Sequence, residues 1–292
     1  MGTSILHAVI DGVLTGSVYA LMAAGLTLIF GVMDIINIAQ GFLVILGAYL
    51  SYELQRRWGI DLFVGLLVTV PIMFGVGVFI QAAFLRRLRE RERTAMSILV
   101  TYAVAIIIEG ILGAFFGVDY VQLNAWYVDR SWHVLGFYLP YIYVFGFVLA
   151  VCMLGALYLI LYRTKFGRSV RASLQDRTAA RLVGINVDRV AALTFGIGVA
   201  VTAAGGMVFG ATNAFNPNSG YDLISRLLAI VILGGLGSIG GAMGAAIFAL
   251  TVEDVVSIWS PTWAPLVFFA LLVVVLSVRP VGLFGHQAAR AQ

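Results

Sequence analysis

Charge is what this sequence has least of. Asp, Glu, Lys and Arg make up 11% of the chain, against about 25% in ordinary soluble domains, while hydrophobic residues make up 61%. Such a chain has too little polar side chain to cover a water-facing surface, which implies a polytopic membrane protein. Apolar segments consume nearly all of the 292 residues, so one integral-membrane domain is expected over 1–292, with no room for a separate soluble catalytic unit. The single cysteine, Cys152, excludes a disulfide framework and a cysteine-rich metal site. His7, His133 and His286 are scattered, with no partner at ligand spacing, so no metal centre is expected. No GxxxxGK[ST] sequence occurs, and the chain is therefore not expected to bind and hydrolyse ATP itself. No serine sits in a GxSxG setting, which leaves an intramembrane enzyme without a catalytic set. No Lys or Arg precedes the first apolar run and no cleavage pattern follows, so a removable leader is not expected. The net charge of +4 does not imply a nucleic-acid partner, because the arginines are grouped beside apolar segments, where they signal orientation.

What is abundant is helix-length apolar sequence. It falls at about 8–31, 37–52, 62–85, 95–117, 138–162, 190–212, 223–236, 240–258 and 263–279. A complete crossing takes about 20 residues, so the short stretches at 37–52 and 223–236 are read as tilted spans, half-helices or re-entrant segments. Arg86, Arg87, Arg89, Arg91 and Arg93 crowd one connection, and seven more of the eighteen Lys and Arg residues lie within 163–189. Two spans separate these connections, so the positive-inside rule assigns both to the cytoplasm. Arg279 and Arg290 place the C-terminus on the same side. The segment 119–137, with Trp126, Tyr127 and Trp132, reads as an external loop carrying interfacial aromatics. A full crossing at 37–52 would put the N-terminus outside as well.

The longest polar interval is RTKFGRSVRASLQDRTAARLVGINVDR, residues 163–189. Asp176 suits a helix N-cap, its carboxylate accepting from the backbone N–H groups of the next turn. Gly184 falls where a helix end needs positive φ, and Arg181 lies in the last turn, where a cation suits the negative helix end. The spacing predicts a helix of about two turns between them. Val170, Leu174, Thr178 and Leu182 recur at intervals of four and predict a narrow apolar stripe. So short a helix is marginal alone in water and is expected to lean on something. The plainer reading is a solvated basic loop beside anionic membrane lipid.

Glycine carries the second signal. VILGGLGSIGGAMGAAI, residues 231–247, holds Gly234, Gly235, Gly237, Gly240, Gly241 and Gly244. Close helix packing explains some of these. Their density predicts a helix break, with Ser238 and freed backbone groups facing a cavity or another subunit. In the first half, Asp34, Asn37 and Gln40 interrupt two apolar runs at spacing three, and are expected to line one helix face. Polar groups in hydrocarbon need partners and commonly mark a solute path; a polar turn at the membrane surface is the alternative, better suited to Asp34. Glu109, deep within 95–117, suits either a proton relay or a structural bond to a neighbouring helix. Broken segments in both halves fit the general build of transporters.

Four stretches carry a resemblance: GLTLIFGVMDIINIAQGFLVILGAYLSY, FGRSVRASLQDRTAARLVGINVDRVAALTFGIG, AIVILGGLGSIGGAMGAAI and the closing RPVGLFG. Together, and in this order, they resemble the branched-chain amino-acid ABC importer permeases of the Liv type, closest to the H-type subunit, over almost the whole chain. The resemblance implies an all-α polytopic bundle of about eight transmembrane helices, with a re-entrant or broken element. It implies import of branched-chain or other small apolar amino acids by alternating access in the bacterial inner membrane. The implied partners are two cytoplasmic ATP-binding subunits, a second permease subunit and an extracytoplasmic solute-binding protein; ATP is the partners' ligand and no cofactor is expected here. The 163–189 segment becomes a coupling loop, with Arg171, Asp176, Ala179, Ala180, Arg181 and Gly184 serving the ATPase contact. Ala179, Ala180 and Gly184 match the AA-x-x-x-G part of the importer motif, whose glutamate is replaced by Thr178. Asn37, Gln40, Gly234, Gly235, Gly237 and Ser238 are the candidate translocation path. Many relatives carry an acid at the place of Phe42, a departure that bears on the solute, and related permeases are associated with urea or short-chain amides. An ion-coupled secondary transporter using Glu109, or a passive channel, would have no need of the long basic segment.

Overall fold

The computed structural model describes residues 2–88, 93–128, 130–134 and 137–284; Arg89, Arg91, His286 and Arg290 lie outside them. The chain is a helical polytopic membrane protein. Its helices are α1 (Gly2–Met33), α2 (Gln40–Trp58), α3 (Leu62–Ile80), α4 (Arg93–Phe116), α5 (Tyr141–Arg163), α6 (Lys165–Gln175), α7 (Arg177–Leu182), α8 (Val187–Thr212), α9 (Gly220–Gly234), α10 (Ile239–Ser257) and α11 (Ala264–Val278). A π-helical turn, Gln81–Leu85, extends α3. Strands β1 (Ser131–Val134) and β2 (Phe137–Pro140) form an antiparallel hairpin before α5, pairing Ser131 with Pro140 and Val134 with Phe137.

The bundle is built around α1 and α8. In each, 78% of the apolar window is buried inside the chain, against 22% in α5. Apolar side chains gain little by leaving lipid for other apolar side chains, so close backbone approach through small residues has to hold such helices together. Gly25 and Gly198 supply it between α1 and α8: a Cβ on Gly198 would lie 2.8 Å from the Gly25 carbonyl oxygen. Gly16 does the same for α1 and α10, where a Cβ would lie 2.7 Å from the Cα of Ile247.

Contacts between connections define two ends. At the basic end, Arg86 pairs with Asp188 at 3.4 Å, Arg177 donates to the Val32 carbonyl at 3.2 Å, and Thr94 donates to the Asp34 carbonyl at 3.0 Å. At the opposite end the loop before α5 ties down α2, α3, α8 and the approach to α9. Tyr127 donates to Asp61 at 2.9 Å, Gln55 donates to the Asn124 carbonyl, and Val121 pairs with Phe215. Burial, then the bond to Asp61, pushes the Tyr127 phenol well above its usual range.

Among the described residues, six helices are long and apolar enough to cross a membrane: Ser4–Met33, Leu62–Leu85, Thr94–Phe116, Tyr141–Arg163, Val187–Thr212 and Ile239–Ser257. The two short stretches, expected as tilted spans, half-helices or re-entrant segments, form α2 and α9, each of which runs from one end of the bundle to the other. α2 has 19 residues and carries Glu53, Arg56 and Arg57 in its final turns. α9 has 15 residues, about 22 Å at 1.5 Å per residue against a hydrocarbon core of about 30 Å. It starts beside the Val121–Phe215 bridge, and the carbonyl of Leu233 near its other end accepts from Leu283 N, just beyond α11.

Two local expectations are corrected. Asp34, Asn37 and Gln40 share no helix face, because Asp34 adopts φ 56° and ends α1. Asp tolerates the left-handed region better than most residues, and the chain from 34 to 39 is a turn rather than helix. The stripe from Val170 to Leu182 is likewise not continuous. Asp176 is extended, φ −156° and ψ 115°, and splits the segment into α6 and α7. Val170 is buried, while Leu174 and Leu182 are exposed.

Candidate docking segment and solute cavity

The 163–189 segment is ordered by caps at both of its helices. Thr164 accepts from Gly167 N at 3.1 Å and opens α6. Gly167, Val170 and Ser173 are buried at intervals of three, while Lys165 and Arg168 stay exposed, so α6 lies with one small-residue face on the bundle. Asp176 then accepts from Thr178 N at 2.7 Å and Ala179 N at 3.0 Å, the N-cap expected from its position. Six residues later the helix closes with a Schellman pair: Ile185 N donates to the Ala180 carbonyl and Gly184 N to the Arg181 carbonyl, both at 3.0 Å. Gly184 has φ 85° and nothing within 4 Å of where a Cβ would stand. This cap requires glycine for its backbone conformation, not for space.

The two alanines of α7 part company. Ala179 is exposed, as are Arg181 and Leu182. Ala180 is 3% exposed and packs inward, so of the two alanines expected at the ATPase contact only Ala179 is presented on the helix surface. Neighbours on a helix are about 100° apart, and Ala180 is the one residue of α7 that its turn aims into the bundle. Arg171, also expected at the ATPase contact, is placed at the end of α5. Its Nη1 donates to the Leu161 carbonyl at the end of α5, its guanidinium lies 5.3 Å from the Tyr162 ring centroid, and it lines a cavity.

That cavity measures about 970 Å³ and lies between α1, α5, α6 and α10. Along α1 it runs from Ser17 to Val32, roughly 22 Å at 1.5 Å per residue. Leu154, Leu157, Leu161, Met243 and Ile247 make much of its wall. The glycine-rich break occupies its basic end. α9 ends at Gly234, Gly235 and Gly237 take φ 97° and 84°, and Ser238 accepts from Gly241 N at 3.1 Å to start α10. The break is therefore a tight turn at the basic end, where a Cβ on Gly31 would lie 3.5 Å from the Gly237 Cα. Gly237 and Ser238 line the cavity; Gly234 and Gly235 are not among its lining residues. Leu283 N donates to the Leu233 carbonyl at 2.8 Å, laying the closing RPVGLFG stretch over the turn.

Asn37 and Gln40 are 0% exposed and are not part of the cavity wall. Asn37 donates to Gln40 at 2.6 Å, Gln40 donates to Thr202 on α8, and Thr202 bonds the Gly198 carbonyl at 2.8 Å. The chain of amides pins the α1–α2 turn to α8. Asn37 Oδ1 has no partner among the described residues. Phe42 is also buried and meets Tyr221 edge-on, with ring centroids 4.8 Å apart. Tyr221 donates to Glu109 at 2.7 Å, so this carboxylate makes a bond to a neighbouring helix. An aromatic at position 42 belongs to the α2–α9 contact rather than to the cavity.

Sequence reading missed three features. The pairing of Arg226 with Glu253, two bonds of 2.7 and 2.9 Å, clamps α9 to α10. Two opposite charges in neighbouring apolar segments were the available signal. Thr202 gave none, since a lone threonine in an apolar helix usually bonds its own backbone. The separate identity of α6 was legible in the three-residue spacing of Gly167, Val170 and Ser173 between cations.

A family model described as branched-chain amino acid transport system, permease component, matches residues 8–276. The high-affinity branched-chain amino acid transport system permease protein LivH of Escherichia coli K12 is 31% identical over 296 residues, covering 96% of each chain. BraD of Pseudomonas aeruginosa, described in the same words, is 28% identical over 305 residues with the same coverage. A probable branched-chain amino acid transport permease, LivH of Methanocaldococcus jannaschii, is 25% identical over 287 residues, covering 94% of this chain and 90% of its own.

Proposed function

Since this chain belongs to the permease-component family of branched-chain amino acid transport systems, we propose that it moves a small apolar amino acid across the inner membrane as one subunit of an ATP-driven importer. The basic end faces the cytoplasm, in keeping with the clustering of arginines there. Two ATP-binding subunits dock at that end, a second permease subunit completes the membrane core, and a solute-binding protein delivers from the opposite side. Hydrolysis belongs to the docked subunits, and the permease offers the solute different contacts in its two conformations. The supporting observation is the connection between α7 and the cavity. Arg177 of α7 holds the Val32 carbonyl of α1, and one residue earlier Gly31 abuts Gly237 on the cavity wall. A displacement of α7 is thus passed through one helix end to the solute route.

The test is Ala179→Trp in the purified complex with its partner subunits. Ala179 is exposed on α7, so the ring projects toward the docked subunit and leaves the bundle's own packing alone. The expected result is normal insertion with loss of solute-stimulated ATP hydrolysis and less copurified ATPase. Full coupling in this variant would reject α7 as the docking element.

A further inference from the structure

Resting on the reading of the cavity as solute route, we infer that Arg171 reads the carboxylate of the transported solute at the basic end, and that it is a specificity-determining residue of this permease. Arg171 is the sole charged residue among the described residues that line the cavity. It is held from two sides, by its bond to the Leu161 carbonyl and by the Tyr162 ring, so the guanidinium is pre-positioned and its remaining N–H groups are left to meet an anion. None of the salt bridges found among the described residues involves it.

The rest of the cavity fits the other parts of such a solute. Its leucine, methionine and isoleucine walls reward an apolar side chain. Ser17 and Thr27 are buried and donate their protons to the carbonyls of Val13 and Ala23 on their own helix, at 2.6 and 2.8 Å, so they leave no free O–H in the wall. A branched-chain amino acid meets both features, the guanidinium and the apolar walls. Urea and short-chain amides have no carboxylate for Arg171 and little apolar surface for the walls, so the cavity chemistry disfavours them.

The experiment compares the parent with Arg171→Lys and Arg171→Gln in the reconstituted complex, measuring leucine taken up per ATP hydrolysed. Glutamine removes the charge and keeps an amide on a shorter stem, and lysine retains the charge without the planar fork. The expected order is parent, then lysine, then glutamine, with glutamine lower by about tenfold or more, the size of one lost charge-assisted hydrogen bond. A glutamine variant within about twofold of the parent, or lysine and glutamine variants that fall equally, would assign Arg171 to capping α5 and overturn the proposal. The same comparison in liposomes with and without phosphatidylglycerol separates the solute from a lipid phosphate. A glutamine defect seen only with the anionic lipid also overturns it. A parent that moves no leucine would instead reject the functional reading on which the proposal rests.

Discussion

Replacing Gly184 by valine isolates the contribution of one backbone angle to coupling. Gly184 holds φ 85° with empty space around its missing Cβ, so the substitution creates no clash with the bundle. Its cost comes from the backbone: an L residue in the left-handed region is disfavoured by about 1–2 kcal/mol, and a β-branched one lies at the upper end. The alternative is to let the cap open, which gives up the bonds from Ile185 to Ala180 and from Gly184 to Arg181, each worth about 0.5–1.5 kcal/mol net. Either route costs about 2 kcal/mol, and the chain takes the cheaper one. A six-residue helix has little intrinsic stability to absorb this, whereas the α1–α8 core is untouched. If docking needs the capped helix, the apparent affinity for the ATPase falls with the capped fraction, by up to roughly thirtyfold at 1.4 kcal/mol per decade. The assay is titration of the purified permease with its ATPase, read as binding and as stimulated hydrolysis. Gly184→Asn is the control, since asparagine tolerates positive φ and should lose far less. A valine variant that binds and couples like the parent would refute the link between this cap and docking.

Gly237→Leu should insert normally and fail in transport, because φ 84° strains the turn and the new side chain stands at the Gly31 approach on the cavity wall; uptake and membrane yield, measured together, check this. Glu253→Leu should lower thermal stability by up to about 3 kcal/mol, since it strands Arg226 beside Phe268 with its side chain 23% exposed. Adding Arg226→Leu should restore much of the loss, as read by melting of the solubilised protein.

The short helix α7 was legible in the sequence because caps are local. Asp176 and Gly184 lie eight positions apart, their roles follow from backbone groups within one turn, and the structure shows both. The break at 235–238 was legible for the same reason, since positive φ at Gly235 and Gly237 is a property of those residues. The family, too, was readable from long motifs in order. What periodicity misjudged were segments where a single backbone angle interrupts the helix. Asp34 at φ 56° and Asp176 in an extended conformation each broke a pattern that spacing alone would have continued.

Tertiary structure decided which polar residues meet the cavity. Asn37 and Gln40 are polar groups in an apolar run that need partners; Thr202, 162 positions from Gln40, supplies one, and the pair is buried outside the cavity wall. Arg171 sits in a basic segment, and the end of α5 holds it at the cavity. Ala180 differs from Ala179 only in which way α7 turns it. The sequence by itself determined the caps at Asp176 and Gly184, the glycine break at 235–238 and that the chain lives in a membrane, since these depend on local backbone chemistry and composition. Which face of each helix meets a neighbour, a cavity or a partner depends on contacts between residues far apart in the chain, and only the packed bundle sets those.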